Sequence, residues 1–318
     1  MKTTTLRVRA LTLAAAAALV LPMAAHAHRS WLLPSGTIYS AQQPWVSVDA
    51  AVSNDIFYYE HNAAGLDNLV VIGPDGKPVE AQNQSKGRYR SMFDVKLDQQ
   101  GTYRLALVND SITASYKVGT ETKRVRGTAE SLAKEIPANA EDLRVSQSQN
   151  RVETFVTSGK PSTEALKPTG RGIELVPVTH PNDLVAGETA TFRFIDNGKP
   201  AAGYSATVIL AGLRYRSELG EIRTETDKNG EIKVKWPAAG MYWVNIAPPR
   251  APGAGGPGGQ GGPGPGGPGA GGPGMGAQAA AAPGTAPAAR PAPTGPAGTL
   301  AEPVRRSGYS LTLEVLPN

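Results

Sequence analysis

Histidine is scarce in this chain, and scarcity makes each one informative: there are four, His26, His28, His61 and His180. His28 follows Ala25-His26-Ala27, which places small residues at the two positions a signal peptidase reads. A cut after Ala27 makes His28 the new amino terminus. Its α-amine and ring Nδ1 can then chelate one metal ion, and a second imidazole completes a T-shaped set of nitrogens. A cut after Ala25 leaves His28 third in the chain, where amine, backbone amides and imidazole form a square-planar set. Both sets suit Cu(II) or Ni(II), which favour nitrogen ligands in planar arrangements. His61 is the expected partner, with His180 the second choice. Asp55 and Glu60 lie in Asn54-Asp55-Ile56-Phe57-Tyr58-Tyr59-Glu60-His61 and can orient the His61 ring by hydrogen bonding. The opposing reading is an unstructured terminal His28 and a surface turn around His61. It makes the segment around His180 a polar loop in which Asp183 bonds its own backbone.

Other chemistries find less support. The chain contains no Cys, which removes disulfides, thiol nucleophiles and Cys-type zinc sites. It has no Gly-x-Ser-x-Gly elbow, no His-Glu-x-x-His and no P-loop. No pair of carboxylates is singled out by spacing. The expectation is a binding protein rather than an enzyme, with no organic cofactor. A copper oxidase of polysaccharides, built on an N-terminal His and a second His, is the enzymatic alternative; two small sandwiches offer it no flat aromatic face. Trp31, Trp45, Trp236 and Trp243 can line a sugar platform, although at strand spacing they serve packing. The alternative function is therefore a non-metal envelope module that binds glycan or a partner protein.

The elements that must hold these residues read as β-structure. Trp45–Val52, Leu69–Ile72, Ser91–Val95, Tyr103–Val108, Ala114–Val118 and Val152–Thr157 are strand-like runs separated by turn signals such as Pro74-Asp75-Gly76. Thr128–Glu135 predicts one short helix, stopped by Pro137. Further on, Ile173–Val178 contains Pro177 and suits a sheet edge. Thr189–Ile195 alternates, with Ala190, Phe192 and Phe194 on one face. Asp196-Asn197-Gly198-Lys199 is a hairpin turn signal. Ser205–Leu210, Glu231–Trp236, Met241–Ile246 and Tyr309–Leu316 complete the set. The fold expected is all-β: two β-sandwich domains, Ig-like or transthyretin-like.

Residues 1–27 read as a secretory leader, with Lys2, Arg7 and Arg9 ahead of the apolar run from Leu11 to Ala25. The run is short for a bilayer span, which takes about 20 residues. The predicted organisation is 1–27 leader, 28–160 N-terminal sandwich, 161–170 linker and 171–318 C-terminal sandwich. Residues 248–307 interrupt the last with a Gly/Pro/Ala-rich tract expected to be disordered, a long loop before the final strand. The formal charge of +5 falls to +2 when the three basic residues leave with the leader. With no Lys/Arg stripe interleaved with aromatics, nucleic acid is not an expected partner.

His28 with Trp31-Leu32-Leu33-Pro34, Glu174-Leu175-Val176-Pro177, Pro181-Asn182-Asp183-Leu184, Phe192-Arg193-Phe194, Asp196–Gly203 and Pro237–Trp243 together resemble the bacterial secreted family called domain of unknown function 4198. That family is grouped with the periplasmic-facing components of nickel and cobalt uptake transporters. The second half is also similar to a transthyretin-like or carboxypeptidase-regulatory-like sandwich. The resemblance implies a periplasmic location and a role with Ni, Co or Cu in metal uptake or homeostasis. It also implies a membrane transporter or outer-membrane receptor as partner, and His28 is the one position carried over. The chain departs from those components in having no transmembrane segment after the leader. It is thus expected to act as a soluble accessory binder.

Overall fold

Eighteen strands and little helix make up the part of the chain that the computed structural model describes, residues 28–41, 43–249 and 297–318. Residues 1–27, read as a leader, and segment 250–296, most of the tract read as disordered, lie outside the described residues. The described residues from Arg29 onward belong to one unit.

Three sheets form two layered halves. The first, of five strands, orders β1 (Arg29–Pro34), β3 (Trp45–Ser53), β7 (Ser91–Lys96) and β6 (Gln82–Lys86), with β4 (Asn62–Ala63) on β3. The central sheet has nine. It runs β15 (Ile222–Glu225), β14 (Ser205–Leu210), β17 (Gly240–Ala247), β18 (Val304–Val315), β10 (Glu141–Ser158), β8 (Gly101–Val118) and β5 (Leu69–Ile72). Strands β2 (Ile38–Tyr39) and β9 (Glu121–Gly127) join β10 and β8 respectively. The third sheet is β11 (Ile173–Pro177), β12 (Thr189–Asp196) and β13 (Lys199–Pro200), with β16 (Glu231–Lys235) on β12. Among the described residues, no helix is long and apolar enough to cross a membrane.

Side-chain alternation sets the layers. In β3, Val46, Val48 and Ala50 are buried and meet Phe93, Val95, Leu105 and Val156 in one core. In β12, Ala190, Phe192 and Phe194 are buried while Thr191 and Arg193 face outward, so a period of two decides which face leaves water. That face packs on Val208, Val244, Leu311 and Leu313 of the central sheet in a second core. Each such side chain contributes about 1.5–3 kcal/mol of burial. Asn197 and Gly198 both take positive φ, 48° and 78°, as a two-residue primed turn requires. Among the described residues β11 pairs only with β12, so Pro177 sits on an edge strand. The helix α1 (Ala129–Glu135) starts at Thr128, whose hydroxyl accepts from the Ser131 N–H while the Ser131 hydroxyl accepts from the Thr128 N–H.

Two differences from the expected elements matter. The runs 103–108 and 114–118 are one strand, because polar Asn109–Thr113 pairs along its length with β10. Ladder hydrogen bonds, rather than apolar content, keep that stretch extended. The second difference joins the halves. Strand β10 pairs in parallel with β18 from Ser146↔Val304 to Thr154↔Thr312, so the central sheet runs unbroken from one core to the other.

Candidate functional site

The loop between β3 and β4 carries Asp55, Glu60 and His61. It is built on Trp31, which is fully buried. The Trp31 indole N–H donates to Ser53 Oγ at 2.8 Å, and Ser53 donates onward to the Asp55 carbonyl at 2.5 Å. Phe57 and Tyr59 pack edge-on or tilted against the indole, each ring centre 5.5 Å away. Phe57 takes a φ of 59° to do so, a strained conformation for a bulky residue. The Glu60 carboxylate accepts the Asn54 and Asp55 N–H groups at 2.9 and 3.0 Å, so it closes the loop. Strand register sets Arg29 opposite Ser53, at the root of this loop. His28 is the exposed residue before Arg29, and His61 is half-buried beside β4.

His180 lies elsewhere. β1 advances about 3.3 Å per residue, so its ends stand roughly 17 Å apart. Beyond its far end Thr37 accepts the Thr157 N–H, on the side where His180 is held. The His180 Nδ1 accepts the Asn182 N–H at 3.1 Å, which puts the ring proton on Nε2. Nε2 then donates between the Ser162 carbonyl, 3.2 Å, and Thr102 Oγ1, 3.0 Å. Thr102 also meets Thr157 at 2.9 Å, Thr157 donates to Asn182 Oδ1 at 2.9 Å, and the Asn182 amide donates to the Phe155 carbonyl. Both ring nitrogens are therefore spent on a network that ties the loop after β11 to β8 and β10. Among the described residues, no group of three or more His, Cys, Asp or Glu side chains is placed to hold a metal ion.

The network has a pH signature. Burial pulls the His180 ring below its usual 6.5, opposed by the hydrogen bond to Ser162 and the charge of Asp183. A lowered folded value means that the unfolded chain takes up its proton first as pH falls. The contribution is complete above the unfolded value and is lost on acidification through the folded one. Urea midpoints measured from about pH 7 down to about pH 5 should fall more for the wild type than for His180→Gln. At neutral pH His180→Ala should cost about 1–3 kcal/mol, because Thr102, Ser162 and Asn182 lose a partner.

A cavity of about 310 Å³ opens between β5, β8, β10 and the segment leading into β11. Val70, Ile72, Val108 and Ile173 form apolar walls. Arg104 and Arg151, 5% and 6% exposed, lie against its floor. Arg151 pairs with Glu174 at 3.0 Å and stands 3.6 Å from Glu153. Glu153 accepts from the Tyr309 hydroxyl at 2.5 Å, and burial beside that carboxylate raises the Tyr309 phenol well above its usual value. Glu174 also takes the N–H groups of Thr169, Gly170 and Arg171, which fixes the cavity's third side. Arg104 donates through Nη2 to the Lys167 carbonyl at 2.9 Å, and among the described residues it joins no ion pair. The Nε atoms of both arginines are buried without a hydrogen-bond partner.

Of these four charged residues Glu174 lies in the motif Glu174-Leu175-Val176-Pro177, while Arg104, Arg151 and Glu153 stood out by none. The available signal was position: Arg104 interrupts Tyr103 and Leu105 in a strand covered on both faces, where residues 101–106 are all buried. A charge there needs partners.

Taken together, these features define an all-β sandwich protein with a cavity set over buried arginines. The chain belongs to the family described as Domain of unknown function (DUF4198), whose model matches residues 25–247, through the end of β17. No curated protein matches it. Among solved structures it is similar to a DUF4785 family protein from Legionella pneumophila, at 11% identity and TM-score 0.20, over 68% of this chain and 50% of that one. The chain thus spans about half the length of that relative. It is similar also to the D0-D1 domain of intimin, at 14% identity and TM-score 0.18, over 68% of this chain and 88% of that one. A third likeness is to the human OSCAR ligand-binding domain, at 12% identity and TM-score 0.17, over 71% of this chain and 93% of that one.

Proposed function

We propose that this protein is a non-catalytic binding protein of the bacterial envelope, with the cavity over Arg104 and Arg151 as its ligand site. One observation carries the reading: a concave, mostly apolar space with a few convergent polar groups, which is the usual form of a small-molecule site. The envelope location rests on the leader-like residues 1–27. The cavity is preferred to a Ni, Co or Cu site because His180 has both ring nitrogens engaged.

The test uses the processed chain. Small metabolites of varied charge are scanned for thermal stabilisation, since a ligand at a hundredfold over Kd adds about 2.7 kcal/mol. A hit that Val70→Trp abolishes supports the reading; Val70 is 40% exposed at the rim, so the substitution can block without unfolding. Hits that persist in that variant overturn it. So does stoichiometric Ni(II) or Cu(II) binding that His28→Ala abolishes, which would restore the metal role and its transporter or receptor partner.

A further inference from the structure

We infer that the open face of β8, β9, β10 and β18 binds an acidic polysaccharide, whose carboxylates pair with Arg124, Arg126, Arg144 and Arg306. Register decides what this face shows. Arg124 stands opposite Ser115, and Ser115 opposite Arg144. Arg126, Thr113 and Ser146 make the next row across the strands, and Ser111, Ser148 and Arg306 the third. Residues opposed across a ladder share a face, and side chains along a strand return to it at every second residue. These rows therefore lie on one side. Arg104, Ala106, Val108 and Arg151 alternate to the other, where the cavity is, so the inference stands apart from the cavity reading. None of the row residues is fully buried, and Arg124, Arg126 and Arg306 are exposed.

The rows hold no acid. Arg124 and Arg306 join no ion pair among the described residues. Residues 1–27 and 250–296 contain no Asp or Glu to supply one. Arg126 gives one Nη2 donor to Asn109 Oδ1 at 2.8 Å. Asp142, two residues before Arg144, is paired with Lys117 at 2.7 Å. Without residues 1–27 the formal charge falls from +5 to +2, as their three basic residues leave, so attraction for an anion is local to this face. Arg124 and Arg306 stand three strands apart, at about 4.8 Å per strand, so the partner must repeat its charge along its length. Guanidinium forks suit carboxylates, and the Ser and Thr hydroxyls between them give and take hydrogen bonds as sugar hydroxyls do. The rows offer no aromatic ring for a base to stack on and, Val304 at their edge apart, no apolar side chain to enter a bilayer. That combination favours a charged glycan over nucleic acid or a membrane surface.

The experiment is titration calorimetry of the processed protein with polygalacturonate, against its fully methyl-esterified form, which keeps the sugar backbone and loses the charge. Expected is binding of the acid at about 0.01 M salt that weakens steeply by about 0.15 M, as the screening length falls from about 30 to about 8 Å. The ester should bind at least about tenfold more weakly. Arg124→Gln with Arg306→Gln should weaken the acid by a similar factor. Lys77→Gln with Lys160→Gln removes the same charge from exposed lysines elsewhere and should leave the affinity unchanged. Both arginines are exposed, so the urea midpoint of their double variant should match the wild type; should it not fold, Arg124→Gln alone is read in its place. Equal weakening by the two pairs of substitutions makes the attraction a matter of net charge and overturns the inference, as does equal binding of acid and ester. Tighter binding of single-stranded DNA or of phosphatidylglycerol vesicles than of polygalacturonate, lost in the arginine variant, overturns the polysaccharide as occupant. No binding of any probe at low salt overturns the face as a docking site altogether.

Discussion

Replacing Arg151 with methionine is expected to cost the fold about 3–5 kcal/mol, because it removes the one cation shared by two buried carboxylates. Glu153 and Glu174 are each 2% exposed. Glu153 would keep only its bond from Tyr309, while Glu174 would keep its ring of N–H donors. The loss should therefore fall more heavily on Glu153. Removing the acids along with the base tests that reasoning. Arg151→Met combined with Glu153→Gln should recover part of the deficit, since an apolar or neutral replacement of a whole buried pair is often near neutral. Chemical denaturation of the single and double variants, read as a double-mutant cycle, measures the coupling. If the double variant is as destabilised as the sum of its parts, the two residues do not share an ion pair worth the name.

The layering of this protein was visible in its residues wherever alternation was strict. Thr189–Ile195 shows its buried and exposed faces directly, and the Asn197-Gly198 turn shows its hand, because both depend on neighbours in sequence. The reach of β8 and β10 was not visible. Their polar stretches, Asn109–Thr113 and Ser146–Asn150, look like loops, and only a partner strand makes them extended. The parallel pairing of β10 with β18 was equally hidden, since it joins residues about 158 positions apart, as Thr154 with Thr312. Nothing local encodes such a contact.

The histidines illustrate the same limit at the site. Residue type made His180 a second-choice candidate beside a polar-loop reading; its neighbours Asn182 and Ser162 engage both nitrogens, and Thr102 comes from another strand. Glu60 was read as orienting His61, and its role in closing its own loop, where it accepts two N–H groups, was not read. The arginines of the cavity went unnoticed for the opposite reason. Arginine is common, and its burial follows from the sheet that covers it. A charge flanked by Tyr103 and Leu105 was the hint, and it means something only once both faces of β8 are known to be covered.

Trp31→Ala should be comparably severe, about 3–5 kcal/mol, for a reason of packing rather than charge. The side chain is fully buried and meets Ala51, Ile56, Ile209 and Trp243, which come from both halves of the molecule. Its loss opens a space bounded by rigid strands on either side, which cannot collapse, and the cost of such a substitution grows with the volume left empty. Phe57 and Tyr59 lose the ring they pack on, and Ser53 loses its donor. The strained φ of Phe57 then has nothing to hold it, so hydrogen exchange across residues 54–61 should rise well beyond the change in global stability. Trp31→Phe keeps an aromatic ring but not the indole N–H, and should fall between the wild type and alanine. Trp45→Ala is the contrast: at 45% exposed on β3, it should shift stability by little more than about 0.5 kcal/mol. Equal effects at the two tryptophans would mean that Trp31 is not the post on which the loop is hung. A large effect at Trp31 confined to the first half would mean that the contact with Ile209 and Trp243 transmits nothing. The unbroken central sheet argues for the opposite, a single cooperative transition in which both cores are lost together.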